Sequence, residues 1–365
     1  MNSNWLYKRL YESMNYRLRT FAGGKFASYC RPPSIIFLLT ERCNAHCMHC
    51  DIWKNRGKED SPTMEQWATV LTDLRQWLGP VQVSFSGGEA LLKPYAIDLV
   101  RHAASLGLFL EVLTHGFWTD QGKIEELALA NPWRVTLSFD GIGETHSRIR
   151  GRERFWEKTT ASIETFKRVR RERGLSYSIR LKNVIMEHNL HDTVAVAHWA
   201  NQPGMEVFFQ PIEQNYNTPE DDRWYESSEN WPKDVERAAA NVRELIALKR
   251  AGLPIANSYA QLNAMILYFE NPEAHRVSVM SHSAHEVRQS CHALGTLQFQ
   301  SNGDVTVCSG APGIGNIKTT PIRQLWEDRP HLWERGCCLE RRMTPAERQN
   351  RELAVVSAAS DASDR

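Results

Sequence analysis

The sequence lacks several features that mark specialised classes of protein. It has no apolar run near the roughly 20 residues of a transmembrane helix, and "SIIFLL" has the length of one buried strand. Its net charge of +1 argues against a dedicated nucleic-acid binder. The N-terminus has neither the apolar core nor the cleavage site of a signal peptide, and there is no internal repeat. We therefore expect a cytoplasmic protein with no transmembrane segment and no specific nucleic-acid partner.

Cysteine is scarce, yet three of the eight cysteines lie in "ERCNAHCMHC" as Cys43-x3-Cys47-x2-Cys50. In the cytoplasm such thiols are ligands or catalytic groups more often than disulfides. Structural zinc takes four ligands, and His46 is a candidate for the fourth. An iron–sulfur cluster tolerates a compact loop because its ligands bind different irons, so three thiols leave one iron open. A non-catalytic zinc-binding interaction protein stays as the alternative.

Between residues 33 and 214, short apolar runs alternate with amphipathic helical patterns. The predicted strands are 34–39, 81–85, 109–114, 134–140, 177–185 and 205–210. The predicted helices between them are 64–78, 95–106, 123–130, 155–173 and 191–201, the first with a capping box at Thr63 and Gln66. This alternation predicts a parallel sheet with helical crossovers. The fold class is therefore α/β, a partial (β/α)6 TIM-like barrel with a small C-terminal α+β module.

Unusual stretches follow four consecutive predicted strands. The cysteine loop follows the first, "SGGE" with Gly87, Gly88 and Glu89 follows the second, "THG" ends the third and "SFDG" ends the fourth. Parallel barrels carry their chemistry at the C-terminal ends of their strands. We therefore expect these stretches to form one site.

The rest of the chain divides by pattern. Residues 1–32 predict an N-terminal helical extension, and 215–287 a helical linker or scaffold. Residues 288–345 predict a small module with a β-hairpin turning at Asn302 and Gly303. The small, polar residues 346–365 predict a disordered tail.

The C-x3-C-x2-C loop followed by Gly-Gly-Glu resembles the radical S-adenosylmethionine (SAM) superfamily. The resemblance implies that Cys43, Cys47 and Cys50 bind a 4Fe–4S cluster whose open iron chelates the amine and carboxylate of SAM. One electron then cleaves SAM to a 5′-deoxyadenosyl radical, which removes a hydrogen atom from the substrate. The cofactor supplies the chemistry, and the protein supplies orientation and exclusion of water.

The resemblance also assigns residues around SAM. Residues 87–89 are expected to receive the methionine amine, and His49 to lie near the adenine. Ser138 matches a position that contacts polar groups of the cofactor, and Asn183 is a candidate for the ribose. Arg150 pairs with the methionine carboxylate or braces its own loop. His115 stands where the family more usually has asparagine, so it receives no role.

A second resemblance covers residues 288–342. Cys291, Gly303 and Cys308 have the spacing that opens the SPASM/twitch extension, which holds auxiliary iron–sulfur clusters. With only Cys337 and Cys338 following, the resemblance implies one auxiliary 4Fe–4S cluster with three or four of these cysteines as ligands. A buried free thiol is the alternative for one of the last pair.

Both resemblances predict a radical SAM oxidoreductase or maturase that receives its electron from a reductant such as flavodoxin or ferredoxin. The first substrate prediction is a peptide or protein side chain. The alternative is a sugar, an aminocyclitol or another small metabolite. The sequence selects no catalytic acid or base.

Overall fold

The computed structural model describes residues 3–20, 29–55, 57, 59–216, 218–219, 221, 223–272, 296–307 and 313–329. Its helices are α1 (Ser3–Thr20), α2 (Met64–Leu78), α3 (Ala96–Ser105), α4 (Gln121–Leu129), α5 (Glu144–Arg150), α6 (Phe155–Arg173), α7 (Thr193–Trp199), α8 (Trp224–Ser227), α9 (Val235–Arg250), α10 (Tyr259–Glu270) and α11 (Ile322–Glu327). Its strands are β1 (Ser34–Thr40), β2 (Gln82–Gly87), β3 (Phe109–Thr114), β4 (Arg134–Ser138), β5 (Ser178–Ile185), β6 (Met205–Pro211), β7 (Thr296–Phe299), β8 (Asp304–Thr306) and β9 (Gly315–Asn316). No helix among these residues is long and apolar enough to cross a membrane.

The strands form one sheet in the order β6-β5-β4-β3-β2-β1-β7-β8-β9. Strands β1 to β6 are parallel, which confirms the predicted α/β partial barrel. The sheet then continues, because β7 pairs in parallel with β1 and forms a hairpin with β8. The C-terminal module is thus hydrogen-bonded to the barrel along β1, a non-local pairing that the sequence did not predict.

The outer face of the sheet forms an apolar core with the helices. At its centre the Phe37 ring stacks on Phe299 with centroids 4.4 Å apart, and it meets Phe85 and Trp67 edge-on. All four side chains are almost completely buried. Each buried ring of this size stabilises the fold by about 1.5–3 kcal/mol. This cluster joins the barrel to the hairpin through side chains as well as through the sheet.

Helix α1 packs at the N-terminal ends of the strands. The Tyr7 hydroxyl donates to the Leu78 carbonyl at 2.8 Å, and the Tyr11 hydroxyl donates to the Pro32 carbonyl at 2.9 Å. The Lys8 ammonium lies 5.2 Å from the Trp133 ring centroid, at the start of β4. The opposite end of the barrel, where the strands finish, carries the cysteine loop.

Candidate functional site

The cysteine loop is held by the end of α5, a short helix that the sequence did not predict. Main-chain amides of His46 and Met48 donate to the carbonyls of Arg150 and Ile149 at 3.1 and 3.0 Å. A Cβ on Gly151 would stand 2.1 Å from the His46 carbonyl oxygen, so only glycine permits this approach. The loop conformation is therefore fixed by main-chain contacts and not by the thiols themselves.

The three loop cysteines meet in one small apolar cluster. All three are free thiols; Cys47 is buried with Ala45 and Phe155, and Cys43 and Cys50 pack against them. Burial raises the pKa of Cys43 to about 12 and also raises the pKa values of Cys47 and Cys50. The described residues contain no compact group that would hold a single metal ion. Thiols are the soft donors that iron–sulfur clusters use, each binding a different iron, so the donor chemistry of these three residues fits such a cluster.

The two glycines of "SGGE" bring the end of β2 against the start of the cysteine loop. A Cβ on Gly87, where φ is +126°, would lie 2.2 Å from the Thr40 carbonyl oxygen. A Cβ on Gly88 would lie 2.3 Å from the Arg42 carbonyl oxygen. Two hydrogen bonds seal the contact, Gly88 N to Thr40 O at 2.8 Å and Glu89 N to Arg42 O at 2.9 Å. The close approach that the glycines allow is thus to the chain's own backbone.

The Glu89 carboxylate joins the ends of β2 and β3. It accepts hydrogen bonds from the Leu91 amide at 3.2 Å, the Thr114 hydroxyl at 3.0 Å and the His115 amide at 2.9 Å. Burial raises its pKa to about 7, against the lowering effect of these donors. Its contacts in the structure are therefore with protein groups, and its expected role at the methionine amine stays a prediction.

His115, which the sequence left without a role, ties β3 to the cysteine loop. Its Nε2 lies 2.7 Å from Asn44 Oδ1, beside Cys43, while its Nδ1 accepts from the Phe117 amide at 2.9 Å. Burial lowers the pKa of His115 to about 3, so the ring is neutral. Because Nδ1 accepts, the proton lies on Nε2, which faces Asn44 Oδ1 and, at 3.2 Å, Glu89 Oε2. No motif in the sequence signalled this link.

Arg150 lies beside the cysteine loop and is itself held by a carboxylate. It forms an ion pair with the fully buried Asp140, and its Nη1 lies 3.6 Å from Cys47 Sγ. Asp140 is fixed in turn, since its Oδ1 accepts from the Val184 amide at 2.9 Å. Arg150 thus contacts protein groups, and its two predicted roles, pairing with the methionine carboxylate or bracing its own loop, both stay predictions.

The remaining predicted cofactor residues lie in different environments. Ser138 ends β4 and pairs in register with Lys182 of β5. Asn183 alternates with Lys182, is fully buried and donates to the Phe139 carbonyl at 2.9 Å, so it lies on the face of the sheet away from the barrel interior. Its Oδ1 is buried and has no hydrogen-bond partner among the described residues, and its expected role at the ribose stays a prediction.

His49 lies in the loop with an unused ring nitrogen. Its Nδ1 is buried and has no hydrogen-bond partner among the residues that the structure describes. Burial lowers the pKa of His49 to about 4, so the ring is neutral. His46 instead faces solvent and packs against Trp53, with ring centroids 4.8 Å apart. An unsatisfied buried nitrogen at His49 fits a pocket that receives a polar ligand.

The four cysteines predicted for an auxiliary cluster, Cys291, Cys308, Cys337 and Cys338, lie outside the described residues. Their ligation stays a prediction. The turn between Cys291 and Cys308 is described, and in it Gly303 adopts φ +90° whereas Asn302 has no positive φ.

Comparisons with known proteins agree with this geometry. Residues 37–195 match the model of the Radical SAM superfamily. The AdoMet-dependent heme synthase of Methanosarcina barkeri is 26% identical over 306 residues, covering 81% of this chain and 82% of the synthase. The PqqA peptide cyclase of Streptomyces rochei is 38% identical over 108 residues, 29% of each chain.

The crystal structure of Streptococcus suis SuiB bound to S-adenosylmethionine has the same fold, with a TM-score of 0.60 at 16% identity. The match covers 83% of this chain and 67% of SuiB. The cysteine loop and the partial-barrel fold thus agree with the family match over residues 37–195. The matched segment, residues 37–195, thus belongs to the radical SAM superfamily, whose members use a 4Fe–4S cluster together with S-adenosylmethionine.

Proposed function

We propose that this chain cleaves SAM reductively and removes a hydrogen atom from a substrate bound inside the barrel. The observation that carries the proposal is the packing of the partly buried Cys43 and Cys50 around the buried Cys47, on a loop fixed by its neighbours. When bound, the cluster and SAM supply the electron transfer and the 5′-deoxyadenosyl radical. The chain's own residues bind, orient and exclude water.

Each part of the loop has a distinct task in this proposal. The three thiols hold the cluster, while Phe155 and Phe117 pack beside them and limit the access of water. His49 supplies an unpartnered ring nitrogen for SAM, and Ser138 supplies a hydroxyl at the end of β4. We propose that the segment 87–89 receives the methionine amine, since it lies directly against the loop.

The substrate prediction has two candidates with different support. A peptide or protein side chain is supported by the PqqA peptide cyclase, although that match covers 29% of this chain. A small metabolite of the tetrapyrrole kind is supported by matches over about four-fifths of the chain. These are the heme synthase above and the pre-heme d1 synthase of Dinoroseobacter shibae, 26% identical over 80% of this chain. The longer matches favour the small metabolite.

Two further expectations belong to the proposal. We infer one auxiliary 4Fe–4S cluster in the C-terminal module, and a cytoplasmic reductant such as flavodoxin or ferredoxin. A variant without the three loop cysteines tests the auxiliary cluster, because iron and sulfide that remain bound to it must lie elsewhere in the chain.

The test of the reaction uses anaerobically purified full-length chain. It should be brown, contain iron and sulfide, and release 5′-deoxyadenosine when reduced in the presence of SAM. Cys47→Ala should abolish that product. Cys30→Ala is the matched control, because Cys30 is also buried but contacts the Asn15 carbonyl, away from the loop. Colourless zinc-containing protein, or undiminished product from Cys47→Ala, would contradict the proposal.

A further inference from the structure

The inward face of the barrel sheet carries charged residues whose pairing can be followed strand by strand. Arg180 of β5 lies in register with Thr136 of β4 and Glu206 of β6. Arg180 Nη2 lies 2.8 Å from Glu206 Oε1, and Arg134 Nε lies 3.3 Å from the same oxygen. Both arginines also lie 3.9 Å from Glu111 Oε1. Two arginines and two glutamates therefore balance each other in this layer.

The next layer towards the cysteine loop holds one more cation. Lys182 lies two residues beyond Arg180 on the same face of β5, in register with Ser138 and Phe208. Within the described part of the chain, its ammonium forms neither a hydrogen bond nor an ion pair. Burial lowers the pKa of Lys182. The Lys182 side chain is half-buried, so its ammonium is open to an anion that enters the barrel.

The surrounding charges do not supply that anion. The groups that influence Lys182 are Glu213, Arg150, Asp140 and Glu111. Asp140 is committed to Arg150, Glu111 belongs to the balanced layer below, and Glu213 is exposed beyond the end of β6. Among these groups Lys182 thus keeps an unbalanced positive charge, and it lies in register with the apolar Phe208.

We propose that Lys182 binds a carboxylate of the substrate inside the barrel. This rests on the proposed function, and it adds that the substrate is an anion with an apolar body next to the charge. Lys182 lies in register with Ser138, which the proposed function assigns to the cofactor, so the methionine carboxylate of SAM is the competing anion that the tests must separate from the substrate.

The shared chemistry is a carboxylate on an apolar body, which a tetrapyrrole side chain and an acidic peptide both provide. The first test therefore uses propionate alone as the probe. Full-length, cluster-loaded chain is treated with limiting N-acetoxysuccinimide, with and without SAM, and acylated lysines are mapped by mass spectrometry. Propionate should protect Lys182 several-fold, propionamide should not, and the exposed Lys233 should be unaffected by either.

The second test separates substrate from cofactor. The Lys182→Met variant should bind SAM with the same affinity as the wild type. It should bind a porphyrin with free propionates about 10- to 100-fold more weakly, which corresponds to the loss of one charged hydrogen bond. Lys182→Arg should retain that affinity, and the porphyrin methyl ester should bind both variants and the wild type alike. If the substrate is an acidic peptide, propionate should still protect Lys182 from acylation, and the porphyrin with free propionates and its methyl ester should bind with the same low affinity.

Three outcomes overturn the proposal. They are equal reactivity of Lys182 with propionate and propionamide, protection of Lys182 by SAM alone, and loss of SAM affinity in Lys182→Met. Protection requires no turnover, so a chain that failed to cleave SAM would still report on Lys182. Failure of this inference and failure of the proposed function are therefore distinguishable.

Discussion

Replacing Gly88 by alanine removes no functional group, yet it should disable the cluster loop. The added Cβ would stand 2.3 Å from the Arg42 carbonyl oxygen and 2.9 Å from that of Glu41, where about 3.3 Å is the ordinary carbon–oxygen contact. The loop start or the end of β2 must therefore move by about 1 Å. That shift breaks two hydrogen bonds of about 1 kcal/mol each and adds about 1–3 kcal/mol of overpacking.

We therefore expect Gly88→Ala to lower the free energy of unfolding by about 3–5 kcal/mol and to reduce iron incorporation sharply. The assay is denaturant unfolding of the apo-protein, followed by iron and sulfide analysis after anaerobic reconstitution. Gly57→Ala is the matched control, since a Cβ there meets nothing within 4 Å. Normal iron content and stability in Gly88→Ala would refute the reasoning that this contact fixes the loop.

Three further changes separate the parts of the site. Burial raises the pKa of Glu89 from 4.5 to about 7. Between these pH values the folded state binds a proton that the unfolded state has released, so the free energy of unfolding of the apo-protein should fall as the pH rises through this range. Glu89→Gln should flatten that slope in urea titrations, and an unchanged slope would contradict the assignment. Asn44→Ala should lower iron retention during chelator challenge, because it removes the His115 contact, and retention equal to wild type would count against that link. Thr63→Ala should cost about 1 kcal/mol by loss of the capping box without changing iron content, and altered iron would show that α2 affects the loop.

Local signals in the sequence were strong wherever periodicity and capping agreed. Helix α2 spans Met64–Leu78 as predicted, with Thr63 Oγ1 accepting from the Gln66 amide at 3.3 Å. Helix α6 also has its predicted bounds, Phe155–Arg173. All six barrel strands are present, although β2 continues to Gly87 and β4 ends at Ser138. Long amphipathic segments and parallel strands carry enough pattern to be placed from sequence alone.

What the sequence missed depends on non-local contacts. Helix α5 has seven residues, too few for a periodic signal, yet its end holds the cysteine loop. The pairing of β7 with β1 joins segments far apart in the chain, and no local residue pattern encodes it. Such features follow from packing.

The central claim is that Cys43, Cys47 and Cys50 hold a cluster with one iron left for SAM. Electron–nuclear double resonance of the reduced protein with SAM labelled with ¹⁵N at the methionine amine tests this directly. The account predicts a ¹⁵N coupling to the cluster in the wild type and in Cys30→Ala, and no such coupling in Cys47→Ala. A reduced cluster that shows no ¹⁵N coupling in the wild type would contradict it.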